Sequence, residues 1–211
     1  MGDARPGLAA PADRRPGEKI AALEEIYRAH EKALRPFVAE AICRPGCGFC
    51  CTHYGRLDIT TLEGLAIQER LSAFKGRQKL RMQERIRRNR MLKEKGETAV
   101  CPFLDAEKYC RIYEVRPFSC RQLYSLRPCE GKGPTVHRQA VALAKETVVK
   151  IQRLDDTGYS GHLTYILALL EDRSFRRLYL AGGVDPARIE SFGRSHGLVI
   201  NRRVSPAGGT A

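Results

Sequence analysis

The chain contains no tryptophan and only three methionines in 211 residues. No apolar run approaches the ~18–20 residues that a membrane-spanning helix requires; the longest, Tyr165 to Leu170, is far too short. The opening stretch MGDARPGLAAPADRRPGEK lacks the ~7–15-residue apolar region of a secretory signal, so no membrane is expected as a partner and a cytoplasmic address is. Phosphate loops of the GxG or GKS type are missing, and nothing glycine-rich suits S-adenosylmethionine beyond the weak GYSGH at 158–162 and AGG at 181–183. No nucleophilic or acid–base constellation can be placed from the order of residues alone. No internal repeat stands out.

What is present is positive charge, helical periodicity and cysteine. The formal charge of +13 suits nucleic acid, anionic lipid or acidic protein partners, and basic proteins without such partners are also common. Apolar residues make up 43% of the chain, enough for a core at this length. The pattern predicts a mainly α fold, helices packed around an irregular cysteine-rich metal-binding centre: a single domain over 17–200 with its cysteine core at 43–129, a disordered segment at 1–16 and a flexible tail at 201–211.

From Glu18 to Ile42 a stripe of Ile20, Leu23, Tyr27, Leu34 and Val38 predicts an amphipathic helix, bent or broken before Pro36 and interrupted on its apolar face by His30. Thr60-Thr61-Leu62-Glu63 has the form of a capping box and predicts a helical stretch towards Lys95, with a break near Gly76. Residues 75–95 carry ten Lys or Arg against two Glu, and Arg77, Arg81, Arg85 and Arg88 fall on one face. The plainest reading is the solvated face of a packed helix; a surface for nucleic acid or an acidic partner is the alternative. A helix from Pro134 to Leu154 and shorter ones around 160–171, 173–181 and 185–195 complete the pattern.

Eight cysteines lie in two runs, at 43, 47, 50 and 51 and at 101, 110, 120 and 129. In a reducing compartment such clustering points to metal ligands or redox centres rather than stable disulfides. Cys50 and Cys51 are poor partners for each other, because neighbouring Cα atoms lie ~3.8 Å apart and a disulfide wants ~4.4–6.8 Å. Two thiols separated by Gly48 and Phe49 can face one ion from a tight turn, as in structural zinc sites, and iron–sulfur clusters also use cysteine thiolates. Neither zinc-finger nor bacterial ferredoxin spacing is reproduced. The thiols of Cys50 and Cys51 diverge, so one site with spare thiols and two four-thiolate sites both remain open. Arg116 and Arg121 are candidates to balance thiolate charge or, alternatively, to pair with Glu114. His53 reads as a surface or core histidine rather than a ligand, and His30, His137, His162 and His196 as structural or solvated.

CRPGCGFCC at 43–51, CPFL at 101–104 and CRIYEVRPFSCR at 110–121 together resemble the YkgJ-type cysteine-cluster family, described as zinc- or iron-chelating with a CxxCxxCC signature. The resemblance covers roughly residues 43–125. It implies metal chelation by Cys47, Cys50, Cys51, Cys101, Cys110 and Cys120, with Cys43 as a further ligand although three residues rather than two separate it from Cys47. Cys129 lies beyond the pattern. The implied cofactor is zinc or iron, an iron–sulfur cluster included, and the implied partner is the metal ion. Because the family includes flagellin lysine N-methylases, a protein-modifying enzyme acting on a protein substrate is the alternative reading. A metal-dependent regulatory or nucleic-acid-binding module using the 75–95 helix is the other.

Overall fold

The computed structural model describes residues 15–53, 55 and 57–203. The segments read as disordered or flexible fall, over 1–14 and 204–211, outside the described residues, whereas Arg15 and Pro16, read as disordered, cap and begin the first helix. Among the described residues the fold is mainly α. The helices are α1 (Pro16–Val38), α2 (Phe49–His53), α3 (Thr61–Ser72), α4 (Gly76–Glu94), α5 (Phe118–Arg121), α6 (Arg138–Leu154), α7 (Leu163–Glu171) and α8 (Arg173–Leu180). A π-helical turn, Ile189–Gly193, joins two further short helices, α9 (Pro186–Arg188) and α10 (Arg194–His196). A small antiparallel sheet of order β1-β2-β3 is formed by Asp58–Thr60, Tyr159–His162 and Val199–Ile200. Its register pairs Ile59 with Gly161 and Ser160 with Val199.

The apolar stripe of α1 buries Leu23, Tyr27 and Leu34 against α6 and α3. His30 completes this stripe instead of interrupting it. Its ring is buried, sits 4.7 Å edge-on from Phe118 and meets Thr147 Oγ1 through Nδ1 at 3.0 Å. Pro36 breaks nothing either, since it falls in the last turn and the helix runs two residues past it.

At the head of α3 the capping box forms as read: Glu63 N–H donates to Thr60 Oγ1 at 3.3 Å, and Glu63 Oε2 accepts from Thr60 N–H at 2.7 Å. The helix ends at Ser72, and α4 starts afresh at Gly76, whose φ of +50° suits glycine. Helix α7 supplies the centre of the core with Ile166, Leu167 and Leu170, each worth about 1.5–3 kcal/mol when fully buried. It lies so close to α3 that a Cβ on Gly64 would stand 2.8 Å from Leu170 Cδ1.

Residue 201 belongs to the packed fold rather than to a tail. Asn201 is buried, donates from Nδ2 to Asp155 O at 2.8 Å, and accepts from Ser160 Oγ at 2.6 Å. Asp155, fully buried at the end of α6, accepts from Leu62 N–H at 2.9 Å and Tyr179 O–H at 2.7 Å. One carboxyl group thus gathers α3, α6, α8 and the 201 segment.

On α4, Leu80 is 67% exposed while Met82 is buried. The basic face is not uniform: Arg85 donates to Leu104 O, whereas Arg77, Arg81 and Arg88 face solvent. No helix among the described residues is long and apolar enough to cross a membrane.

Candidate metal centre

The two cysteine runs meet through α2. Pro45 and Gly46 end the approach from α1 in a turn, with Cys47 N–H donating to Arg44 O at 3.1 Å, and the chain re-enters a single helical turn at Phe49. Thr52 Oγ1 donates back to Gly48 O at 3.1 Å and Phe49 O at 3.0 Å, which fixes that turn. From here Cys51 O accepts Cys101 N–H at 2.8 Å, so the first run is bonded directly to the CPFL segment. CPFL is in turn bonded to the third piece: Arg111 N–H donates to Phe103 O at 2.8 Å, and Leu104 bridges to Cys110. Residues 110–121 then fold as a 3-10 turn (Tyr113–Val115) followed by α5, which returns Cys120 towards Cys51.

The result is an apolar cavity of about 140 Å3 on whose wall Cys50, Cys51, Cys101, Cys110 and Cys120 all lie. The thiols ring this space rather than meet at a point. Among the described residues no three His, Cys, Asp or Glu side chains stand close enough to share a single ion. The volume has room for several water molecules.

The thiols on this wall act on one another's charge. The Cys101 thiol donates to Cys51, which draws the Cys51 thiol below its usual range and pushes that of Cys101 well above it. Burial raises the Cys120 thiol to about 12, with the charges of Cys51 and Cys110 adding to the shift. Burial also raises Cys110. Thiolates crowded in an apolar pocket repel one another, and a bound cation would remove that penalty.

Arg116 sits on the same wall, its guanidinium 4.1 Å over the Tyr113 ring and its Nε buried without a hydrogen-bond partner. Its charge favours the thiolates of Cys110 and Cys120. Arg121 is committed elsewhere: it donates to Glu31 Oε1 at 2.7 Å, Arg116 O at 2.9 Å and Glu114 O at 2.8 Å, and it lies 4.3 Å over Tyr27. Of the two arginines weighed from the sequence, Arg116 alone faces the cavity. An orphaned cationic N–H beside four grouped thiols fits an anionic thiolate–metal centre.

A larger cleft of about 460 Å3 shares Cys50, Cys51 and Cys101 with this cavity and adds His53, Lys93 and His162. His53 stacks 4.4 Å from Phe49 and hydrogen-bonds Thr52 Oγ1 at 2.7 Å. His162 caps α7, and its Nε2 lies 3.1 Å from Gly55 O. Cys43, Cys47 and Cys129 line neither space; Cys43 and Cys47 are exposed and Cys129 is half-buried. The Cys43 thiol accepts Ser125 N–H at 3.2 Å.

One residue of consequence was not singled out as a site residue. Glu63, read only as a helix cap, also accepts Tyr27 O–H and Phe118 N–H, both at 2.7 Å. It thereby anchors the start of α5, two residues from Cys120. A buried acid with a tertiary role leaves no local signature beyond the capping box.

No curated protein and no solved structure matches the chain. Among protein families, residues 42–150 match CxxCxxCC, described as a "putative zinc- or iron-chelating domain". The matched span holds all eight cysteines and about half of the chain. The protein therefore belongs to the CxxCxxCC family.

Proposed function

We propose that this is a metal-binding protein whose inner thiols, Cys51, Cys101, Cys110 and Cys120, chelate iron as an iron–sulfur centre, with zinc as the competing occupant. The observation that carries this reading is the thiol-ringed apolar cavity with the unpartnered Arg116 Nε on its wall. A lone tetrahedral zinc holds its sulfurs at ~2.3 Å from one point. A ring of thiols around a space of about 140 Å3 suits a polynuclear group better, because such a group carries its own inorganic sulfide between the metals. Cysteine thiolates are the usual ligands of these clusters.

The burial of the site supports retention of the metal rather than rapid exchange. The shared wall with the larger cleft supports a route by which metal or an electron-transfer partner reaches it. Chelation is the common denominator of both metals, and it matches the family description.

Anaerobic purification followed by iron, zinc and acid-labile sulfide analysis and a visible spectrum tests the proposal. Iron and sulfide in comparable amounts, with a brown chromophore that Cys120→Ser abolishes, is the expected result. Stoichiometric zinc in a colourless protein would replace iron by zinc and leave chelation standing. Protein free of both metals under anaerobic conditions would refute the whole reading.

A further inference from the structure

Helix α4 is held by one side and open on the other. On the inner side Asn89 Nδ2 donates to Val100 O at 2.7 Å and Arg85 donates to Leu104 O, so the helix grips both ends of the segment that carries Cys101. Asn89 and Lys93 also stand on the wall of the 460 Å3 cleft. Of the 19 residues of α4, only Met82 and Asn89 are buried.

Four of the ten cations at 75–95 are committed within the protein. Arg85 is bonded to Leu104 O, Arg87 pairs with Glu84 at 2.6 Å, Arg90 with Glu171 at 3.6 Å, and Lys93 donates to Gly55 O at 3.3 Å. Lys75, Arg77, Lys79, Arg81, Arg88 and Lys95 are exposed and make no ion pair among the described residues. Like charges four residues apart, as at Lys75/Lys79, Arg77/Arg81 and Arg81/Arg85, work against a helix. A local rule broken without a return inside the fold points to a contact outside it.

The open side also carries apolar side chains. At 3.6 residues per turn, Arg77, Leu80, Arg81, Arg88, Met91 and Lys95 fall within about 100° of the helix circumference. Leu80 and Met91, 67% and 47% exposed, lie three turns apart on nearly one line, about 16 Å from each other. Cations flank them along the whole row.

We propose that this face of α4 docks an acidic amphipathic helix of a partner protein. Leucine-type anchors of such a helix, repeating at i, i+4, i+7 and i+11, cover Leu80 and Met91, and its acids meet Arg77, Arg81, Arg88 and Lys95. A polyphosphate fits less well. It would lie against Leu80 and Met91 as well as the cations, and α4 has no aromatic ring on which a base could stack. Two apolar side chains are too few for a bilayer surface, which takes the whole apolar face of a helix. A partner seated here is one helix diameter, about 10–12 Å, from the wall of the cleft. The docking uses none of the thiols, so it stands whether they hold iron, zinc or neither.

Fluorescence anisotropy on the purified full-length protein tests it with three labelled probes. They are a synthetic Glu/Leu amphipathic helix, a peptide of the same composition in scrambled order, and a DNA duplex. The ordered peptide is expected to bind at least about 10-fold tighter than the scrambled one. Leu80→Ser/Met91→Ser is expected to weaken it about 10-fold, as loss of a buried leucine does. Arg77→Glu/Arg81→Glu/Arg88→Glu is expected to weaken it at least as much, with helix content by circular dichroism unchanged in both variants. Equal binding of the two peptides would mean charge alone and overturn the docking of a helix. Duplex bound more tightly than the ordered peptide, and lost in the arginine variant, would make the face a nucleic-acid surface and overturn it. No binding of any probe would leave α4 a solvated helix and overturn it too.

Discussion

Replacing Glu63 by Gln is the sharpest perturbation of the scaffold beneath the thiols. The carboxylate is buried and accepts four hydrogen bonds, from Tyr27 O–H and Phe118 N–H on one oxygen and from Thr60 N–H and Oγ1 on the other. Gln keeps the shape but turns one oxygen into an NH2 group. Whichever way the amide lies, one fixed backbone N–H, of Phe118 or of Thr60, then faces a donor. An unsatisfied buried N–H costs about 1–3 kcal/mol, and the remaining bonds fall from the charged to the neutral range, so the total is roughly 3–5 kcal/mol. For a chain of this size that corresponds to a loss of roughly 6–20 °C in Tm. Urea unfolding of metal-free Glu63→Gln measures it directly. Because Phe118 opens the helix that carries Cys120, alkylation of Cys120 in the folded variant is expected to accelerate as well. A loss below about 1 kcal/mol, with Cys120 reactivity unchanged, would show that Glu63 does not clamp α1, α3 and α5 together.

Two further outcomes follow from the same geometry. Arg116→Gln is expected to weaken metal retention by about 10–100-fold, the usual consequence of losing an outer partner of a metal site. Release to a competing chelator reads this out, while Arg121→Gln, whose wild-type side chain is bound to Glu31 and main-chain carbonyls, lowers thermal stability instead. Asp155 gives a pH signature. Burial raises its carboxyl to about 7, against the hydrogen bonds from Tyr179 and Leu62 that favour the charged form. A raised acid stabilises the fold below its unfolded pKa and loses that contribution as pH rises through its folded pKa. The stability of wild type relative to Asp155→Asn should therefore fall between about pH 4 and 7, by at most ~1.4 kcal/mol per pH unit, and level off above. A difference that stays constant across that range, measured by urea unfolding, would show that the carboxylate is charged throughout.

Most of what could be read along the chain is local in its physics. The Thr60–Glu63 box depends on residues three apart, and the structure has it atom for atom. The stripe on α1 is likewise a property of one helix, although His30 shows that a polar ring joins the stripe when a partner such as Thr147 waits across the interface. The strands escaped because each is only two to four residues long and carries no alternation to detect. Their existence depends on pairing Ile59 with Gly161 and Ser160 with Val199, across separations that no local pattern encodes.

The sequence by itself determined that this is a mainly α chain of the CxxCxxCC family, because helix caps, periodicity and clustered thiols are statements about near neighbours. Only the tertiary structure decided how the thiols are sorted. A list of eight cysteines does not say that Cys50, Cys51, Cys101, Cys110 and Cys120 line one cavity, that CPFL bonds to Cys51, or that Arg116 and not Arg121 is left with an unpartnered N–H at the cavity. Those facts depend on which distant segments pack together. Hydrogen bonds and buried charge reward the final arrangement in space, and the spacing along the chain does not constrain it.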